Sequence, residues 1–113
     1  MGYILQFSEI GINDITKVGG KNASLGEMYQ NLSEKGVTVP DGFALTAEAY
    51  WAYLDHNKFL QALKEILSEL DTKDFSNLSV IGLRCRELLM QGSFPKEIEQ
   101  DIIKGYEYLV GKY

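Results

Sequence analysis

The sequence predicts a helix-rich α/β (α+β) domain with about five helices and two short strands. Three observations predict it. Five stretches repeat apolar residues at the spacing of one helix face, and most open on a residue type that caps helices. Only two short runs, "YILQF" (residues 3–7) and "GFALT" (residues 42–46), have strand character. With 113 residues, 45% of them hydrophobic and 24% charged, the chain has the size and composition of one globular domain, expected over 1–113.

In "YILQF", Tyr3, Leu5 and Phe7 share one face at strand period. "SEIGINDITKVGG" follows; it is polar and contains glycine, so it reads as a loop ending at Gly19-Gly20. Leu25, Met28, Tyr29 and Leu32 then form the apolar stripe of a first helix. Its start is ambiguous. Ser24 through Glu27 fits a capping box, whereas Asn22 as the cap would bring the helix N-terminus next to Lys21. Gly36 is a natural stop, and Pro40 forbids easy continuation.

After the second strand, Thr46 is placed to cap a helix "AEAYWAYLDH", with Glu48 favourable in its first turn. Asn57 is expected to cap the next, where Leu60, Leu63, Leu67 and Leu70 keep helical spacing. Ser76 is expected to cap a fourth, with Leu78, Ile81, Cys85 and Leu88 on one face and Gly92 as its stop. Pro95 suits the first turn of a fifth, in which Ile98, Ile102, Tyr106 and Leu109 line up. Two strands alone make a poor sheet, so these are expected to find partners elsewhere.

Several function classes are disfavoured by composition. A net charge of −5 argues against a nucleic-acid partner, because phosphate backbones need clustered Lys and Arg. Cys85 is the single cysteine and His56 the single histidine, so no intramolecular disulfide and no ordinary Cys/His zinc site can form; no metal ligands are assigned. Cys85 reads as a small core residue and His56 as a surface group at a helix end. With one imidazole and no visible triad, no catalytic residue is assigned. Arg84 and Arg86 stand two apart on one helix and make a poor clamp, and Tyr50, Trp51 and Tyr53 are expected to pack. The N-terminus lacks a basic leader, no apolar run approaches a membrane span, and Gln6 breaks the myristoylation pattern after Gly2. The expected setting is cytoplasmic, with no membrane partner.

The chemistry concentrates in "VGGKNASLGEM", residues 18–28. It matches neither a P-loop, since Gly20-Lys21 is followed by Asn22, nor a dinucleotide fingerprint. It still has the parts of a phosphate site. Free N–H groups at a helix start carry partial positive charge, glycines allow close backbone approach, and lysine adds a mobile full charge. The plainer reading is a Gly-Gly loop ahead of a helix with a solvated lysine, and on the residues alone it stands first, because Gly-Gly-Lys is common.

A resemblance reverses that order. "VGGKNASLGEM" followed by "GVTVPDGFALTAEAYWAYL" resembles the start of the phosphoenolpyruvate synthase (pyruvate, water dikinase) family, in the right order and at the right separation, and more loosely the likeness runs through "FPKEIEQDIIKGYEYL". Related pyruvate phosphate dikinases and rifampin phosphotransferases typically show a "GGKGANL" form here, so "KNASLGEM" favours the synthase. The resemblance implies part of an ATP-grasp-type nucleotide-binding domain. It also implies a reaction of ATP, pyruvate and water to AMP, phosphoenolpyruvate and phosphate, with Mg2+, relayed through a histidine on a separate domain.

Carried over, Lys21 contacts the ATP phosphates, Gly19 and Gly20 shape the loop, and Asn22 belongs to the same nucleotide-binding set. The family's following Arg-Ser-Ser segment, its magnesium carboxylates, its phosphohistidine domain and its barrel domain have no counterpart in these residues. The chain is therefore expected to be the N-terminal portion of the ATP-binding domain, inactive by itself, with the enzyme's remaining domains as partners. The alternatives are the same portion of a related dikinase or phosphotransferase, or a standalone non-catalytic binding module.

Overall fold

In the computed structural model, which describes residues 2–113, the two expected strands pair with each other. β1 (Ile4–Gln6) runs antiparallel to β2 (Phe43–Leu45), with Ile4 opposite Leu45, Leu5 opposite Ala44 and Gln6 opposite Phe43. Outside partners are not needed for this ladder. The backbone continues it at both ends: Phe7 N–H donates to the Gly42 carbonyl at 2.9 Å, and Thr46 N–H to the Tyr3 carbonyl at 3.0 Å.

Six helices are present among the described residues, one more than expected. The addition is α1 (Ile15–Val18), a single turn inside the stretch read as loop. Two 3-10 turns, Phe7–Glu9 and Ile12–Asp14, precede it. Then come α2 (Gly20–Ser33), α3 (Ala47–Asn57), α4 (Leu60–Ser68), α5 (Leu78–Met90) and α6 (Lys96–Lys112). The chain divides into two units, the described residues up to Trp51 together with Lys96–Tyr113, and Ala52–Pro95.

In the first unit the core gathers Ile10, Val18, Ala23 and Ala44, with Leu5 and Phe7 packed against it. The buried face of α2 is not the expected one. Leu25 and Met28 are exposed, and Ala23 and Gly26 are buried instead. The cause is steric. α2 lies so close to Ile10 that a Cβ on Gly26 would overlap the Ile10 carbonyl oxygen and sit 2.7 Å from its Cβ. Only small residues permit that approach.

The stop at Gly36 is as expected. It has φ 83°, its N–H donates to the Ser33 carbonyl, and Val37 N–H donates to the Leu32 carbonyl, which are the two bonds of a Schellman motif. Thr46 caps α3 as expected, its hydroxyl oxygen accepting Ala49 N–H at 3.2 Å. α6 meets the sheet through Gly105, where a Cβ would stand 2.8 Å from the Phe43 ring, and Asp101 accepts Tyr3 N–H at 2.7 Å. Tyr106, expected on the inner stripe of α6, is 64% exposed, because the close approach to Phe43 is made at Gly105. The last turn of α6 is clasped by Lys112, which donates to Asp41 at 3.0 Å and to the Tyr29 hydroxyl at 2.6 Å.

In the second unit, Leu63 of α4 and Ile81 of α5 are buried. Leu60 and Leu67, on the same expected stripe as Leu63, are exposed, as is Leu78 on the α5 stripe. Two expected caps are replaced. Asn57 ends α3 rather than starting α4: its amide donates to the Tyr53 and Ser93 carbonyls and accepts Ser93 N–H. Ser76 lies outside α5, which follows Asn77. The Ser76 N–H is taken by Asp74, while the Asn77 side chain accepts Asp71 N–H and donates to the Glu69 carbonyl. Asn57 binds the last turn of α3 and ties it to Ser93, and Asn77 ties together backbone ahead of α5, so neither side chain caps the helix that follows it.

Candidate functional site

The stretch around Lys21 folds as helix, break, helix. α1 ends at Val18, Gly19 takes φ 86° and ψ 162°, and α2 begins at Gly20. That backbone region is essentially reserved for glycine. Neither Asn22 nor Ser24 is therefore the cap: the break falls where a residue without a Cβ can make it, and both expected caps lie inside the helix. Gly19→Ala is expected to cost about 1–3 kcal/mol in folding stability through this strain. Gly20→Ala is the control, since Gly20 is helical and a Cβ there meets nothing within 4 Å. Urea unfolding of both variants checks the contrast, and equal midpoints would remove the strain.

The first helical bond of α2 runs from Ala23 N–H to the Gly19 carbonyl at 3.0 Å. The N–H groups of Gly20, Lys21 and Asn22 consequently have no helical acceptor and carry the positive end of the helix. No acidic residue stands in this first turn. Lys21 is exposed and makes no ion pair among the described residues, whereas neighbouring Lys17 reaches Asp14 at 3.6 Å. The space over Gly19 and Gly20 is open, so an anion can approach the backbone directly.

Beside these groups runs a shallow cleft lined by Ile12, Ile15, Gly20, Lys21, Ser24 and Leu25. Ile12 and Ile15 are about half exposed, at 51% and 48%. Polar side chains of α2 hold this wall. Glu27 accepts Ile12 N–H at 2.8 Å, and Gln30 donates to the Ile10 carbonyl. Within the wall, Asp14 accepts Gly11 N–H at 2.9 Å.

Gly19, Gly20 and Lys21, consecutive in the chain, stand at the break and the first turn of α2. The Asn22 side chain turns away, donating to the Val18 carbonyl at 2.8 Å. Sequence reasoning missed Ile12, Ile15 and Glu27. The spacing of Ile12 and Ile15, three apart, was the available signal, hidden in a polar, glycine-containing stretch.

The remaining candidates supply no second site. His56 is exposed in the last turn of α3 and Cys85 is half-buried. Arg84 is engaged by Glu69 through two bonds of 3.0 Å, which hold the Glu69 carboxyl below its ordinary pKa. Tyr50 and Trp51 meet edge to face at 5.6 Å but stay about half exposed, while Tyr53 packs with Phe59 and Phe94. Among the described residues no three Asp, Glu, His or Cys side chains are grouped to hold a metal ion, and no helix is long and apolar enough to cross a membrane.

Comparison with known proteins places this stretch inside a described domain. The profile of "Pyruvate phosphate dikinase, AMP/ATP-binding domain" matches residues 15–113. Among curated proteins, the chain is similar to the phosphoenolpyruvate synthase of Aquifex aeolicus, 44% identical over 110 residues, covering 97% of this chain and 13% of that protein. It is similar to that of Escherichia coli, 42% identical over 106 residues, covering 94% and 13%. It is also similar to that of Neisseria meningitidis, 41% identical over 108 residues, covering 96% and 14%. The chain spans about one-seventh of the length of these relatives, 13–14%.

Proposed function

The chain belongs to the pyruvate phosphate dikinase AMP/ATP-binding domain family, and from that premise we propose that it is the opening part of the ATP-grasp-type domain of a phosphoenolpyruvate synthase. There it holds ATP phosphates at the start of α2, for the conversion of pyruvate, ATP and water to phosphoenolpyruvate, AMP and phosphate. One observation carries the reading: an exposed lysine that makes no ion pair among the described residues stands beside three main-chain N–H groups that also lack helical acceptors. The similarity to enzymes named phosphoenolpyruvate synthase supports the reaction class. The family's own description keeps a pyruvate phosphate dikinase as the second reading.

ATP fits these residues through its phosphates. Lys21 supplies a full positive charge, and the N–H groups of Gly20, Lys21 and Asn22 supply fixed donors. Mg2+ enters the reading as the ion that accompanies the nucleotide. With no acidic cluster among the described residues, its ligands are assigned to other parts of the enzyme. Phosphoryl transfer needs metal and several cations converging on the phosphates. The proposed share of this chain is therefore binding and orientation, and the remaining domains of a cytoplasmic enzyme supply the transfer.

A 15N–1H correlation spectrum titrated with Mg-ATP tests the reading. Shifts are expected to gather on residues 19–25, including the Gly19, Gly20 and Lys21 amides. A dispersed spectrum whose shifts gather elsewhere, or that does not respond at millimolar nucleotide, would overturn the assignment.

A further inference from the structure

The hydrogen bond from Asn22 to Val18 gives the asparagine a task distinct from ligand contact. In an unbroken helix the Val18 carbonyl would accept the main-chain N–H of Asn22, four residues on. Gly19 breaks the helix between them, with φ 86° and ψ 162°, and the first main-chain bond of α2 is made by Ala23 instead. The Val18 carbonyl is left without its backbone donor, and the Asn22 Nδ2 fills the place at 2.8 Å. The side chain substitutes for the main chain of the same residue. It also clips α1 to α2 across the one flexible residue between them.

The anchor is firm. Val18 is 8% exposed and belongs to the core with Ile10 and Ala23, so its carbonyl is held by packing. Gly19 N–H is itself taken by the Ile15 carbonyl at 2.8 Å, which fixes the near side of the break. Asn22 fixes the far side. Apart from the packing of Val18 against Ala23 in that core, the Asn22 bond is what ties the first turn of α2 to the end of α1 among the described residues, and a glycine permits many alternatives.

We propose that Asn22 is a positioning residue of the phosphate site: by occupying the Val18 carbonyl with its side chain, it holds the Gly19 break and frees its own main-chain N–H to face a phosphate beside Lys21. The proposal rests on the phosphate reading above. It separates Asn22 from the side-chain ligands, because one Nδ2 hydrogen is committed to Val18 and that bond holds the amide against the end of α1. It also prescribes which replacements work. A serine hydroxyl can donate to the carbonyl four residues back, whereas alanine cannot.

The test uses Asn22→Ala, Asn22→Ser and, as reference, Lys21→Ala, each titrated with Mg-ATP. In nucleotide-free samples, amide hydrogen exchange is followed at Gly19. Asn22→Ala is expected to weaken Mg-ATP about tenfold, the scale on which a misplaced donor set loses affinity. It is also expected to speed Gly19 exchange before any nucleotide is added. Asn22→Ser is expected to restore most of both. If Asn22→Ala weakens binding with Gly19 exchange unchanged and Asn22→Ser gives no rescue, the side chain is a direct ligand and the proposal is wrong. If Asn22→Ala binds normally while Lys21→Ala does not, the positioning role is lost. If Lys21→Ala itself binds normally, the phosphate reading fails, and unchanged Gly19 exchange in Asn22→Ala would then dispose of the clip separately.

Discussion

Lys21→Ala is expected to weaken Mg-ATP binding by about ten- to a hundredfold, the equivalent of one charge-assisted hydrogen bond to phosphate at roughly 1.5–3 kcal/mol. The lysine can deliver that because its ammonium is not already spent. It is exposed, unpaired among the described residues, and sits in a helix turn without acids. Lys17→Ala is the matched control. That lysine lies in the adjacent turn, but its ammonium is 3.6 Å from Asp14. Its removal is expected to change binding by less than about twofold, since an exposed pair contributes little. Calorimetric titration of both variants checks the difference, and the Lys21 effect is expected to shrink as salt is raised, because the site is open to solvent. Folding should not change, as an exposed substitution of this kind stays within about 0.5 kcal/mol. Equal loss in the two variants would remove the special status of Lys21.

The largest effect on folding is expected at Gly26. Gly26→Ala would place a methyl group against the Ile10 carbonyl oxygen, 2.7 Å from its Cβ and 2.8 Å from its Cγ2. The neighbour cannot give way easily. Ile10 is fully buried, its N–H donates to the Phe7 carbonyl at 3.2 Å, and its carbonyl accepts from Gln30. Overpacking against fixed backbone is expected to destabilise the first unit by about 3 kcal/mol or more, at the upper end of the usual range. Ser24→Ala, on the exposed side of the same helix, is expected to be neutral or slightly stabilising. Urea denaturation followed by circular dichroism separates the two. A Gly26→Ala midpoint equal to that of the parent chain would mean that α2 does not approach Ile10 as described. Because α2 also carries Lys21, the same variant that folds at low temperature should bind Mg-ATP more weakly than the parent.

The two glycines show how differently sequence features can be read. Gly19 was assigned to the site as a glycine that allows close backbone approach and, by the resemblance, shapes the loop; in the structure it has φ 86°. Gly26 attracted no notice, as an isolated glycine in a helix looks like a mere weakness. Its reason lies sixteen residues upstream, in an isoleucine whose position depends on Glu27 and Gln30 reaching back to the backbone of residues 10–12. The same contacts explain why a stretch read as loop contains two 3-10 turns and α1. Such short turns are marginal alone and persist because α2 satisfies their amides and carbonyls. The apolar stripe of Leu25 and Met28 was misassigned to the interior for a related reason. Periodicity finds the larger side chains, but here the closest packing required the smaller ones.

By itself the sequence determined the features whose physics is complete within about one turn of chain. Gly36 ends α2 and Thr46 starts α3, because a left-handed residue and a capping hydroxyl act on neighbouring backbone. The same residues, in their order and spacing, were enough to indicate the family. Tertiary structure alone decided where α2 begins, which of its faces is buried, that the two strands serve each other, and that the expected caps Asn22 and Asn57 bind carbonyls instead. Each of these depends on what a distant or folded-back segment offers. A side-chain amide takes the most accessible unpaired carbonyl, and which carbonyl is unpaired is known only once the chain has packed.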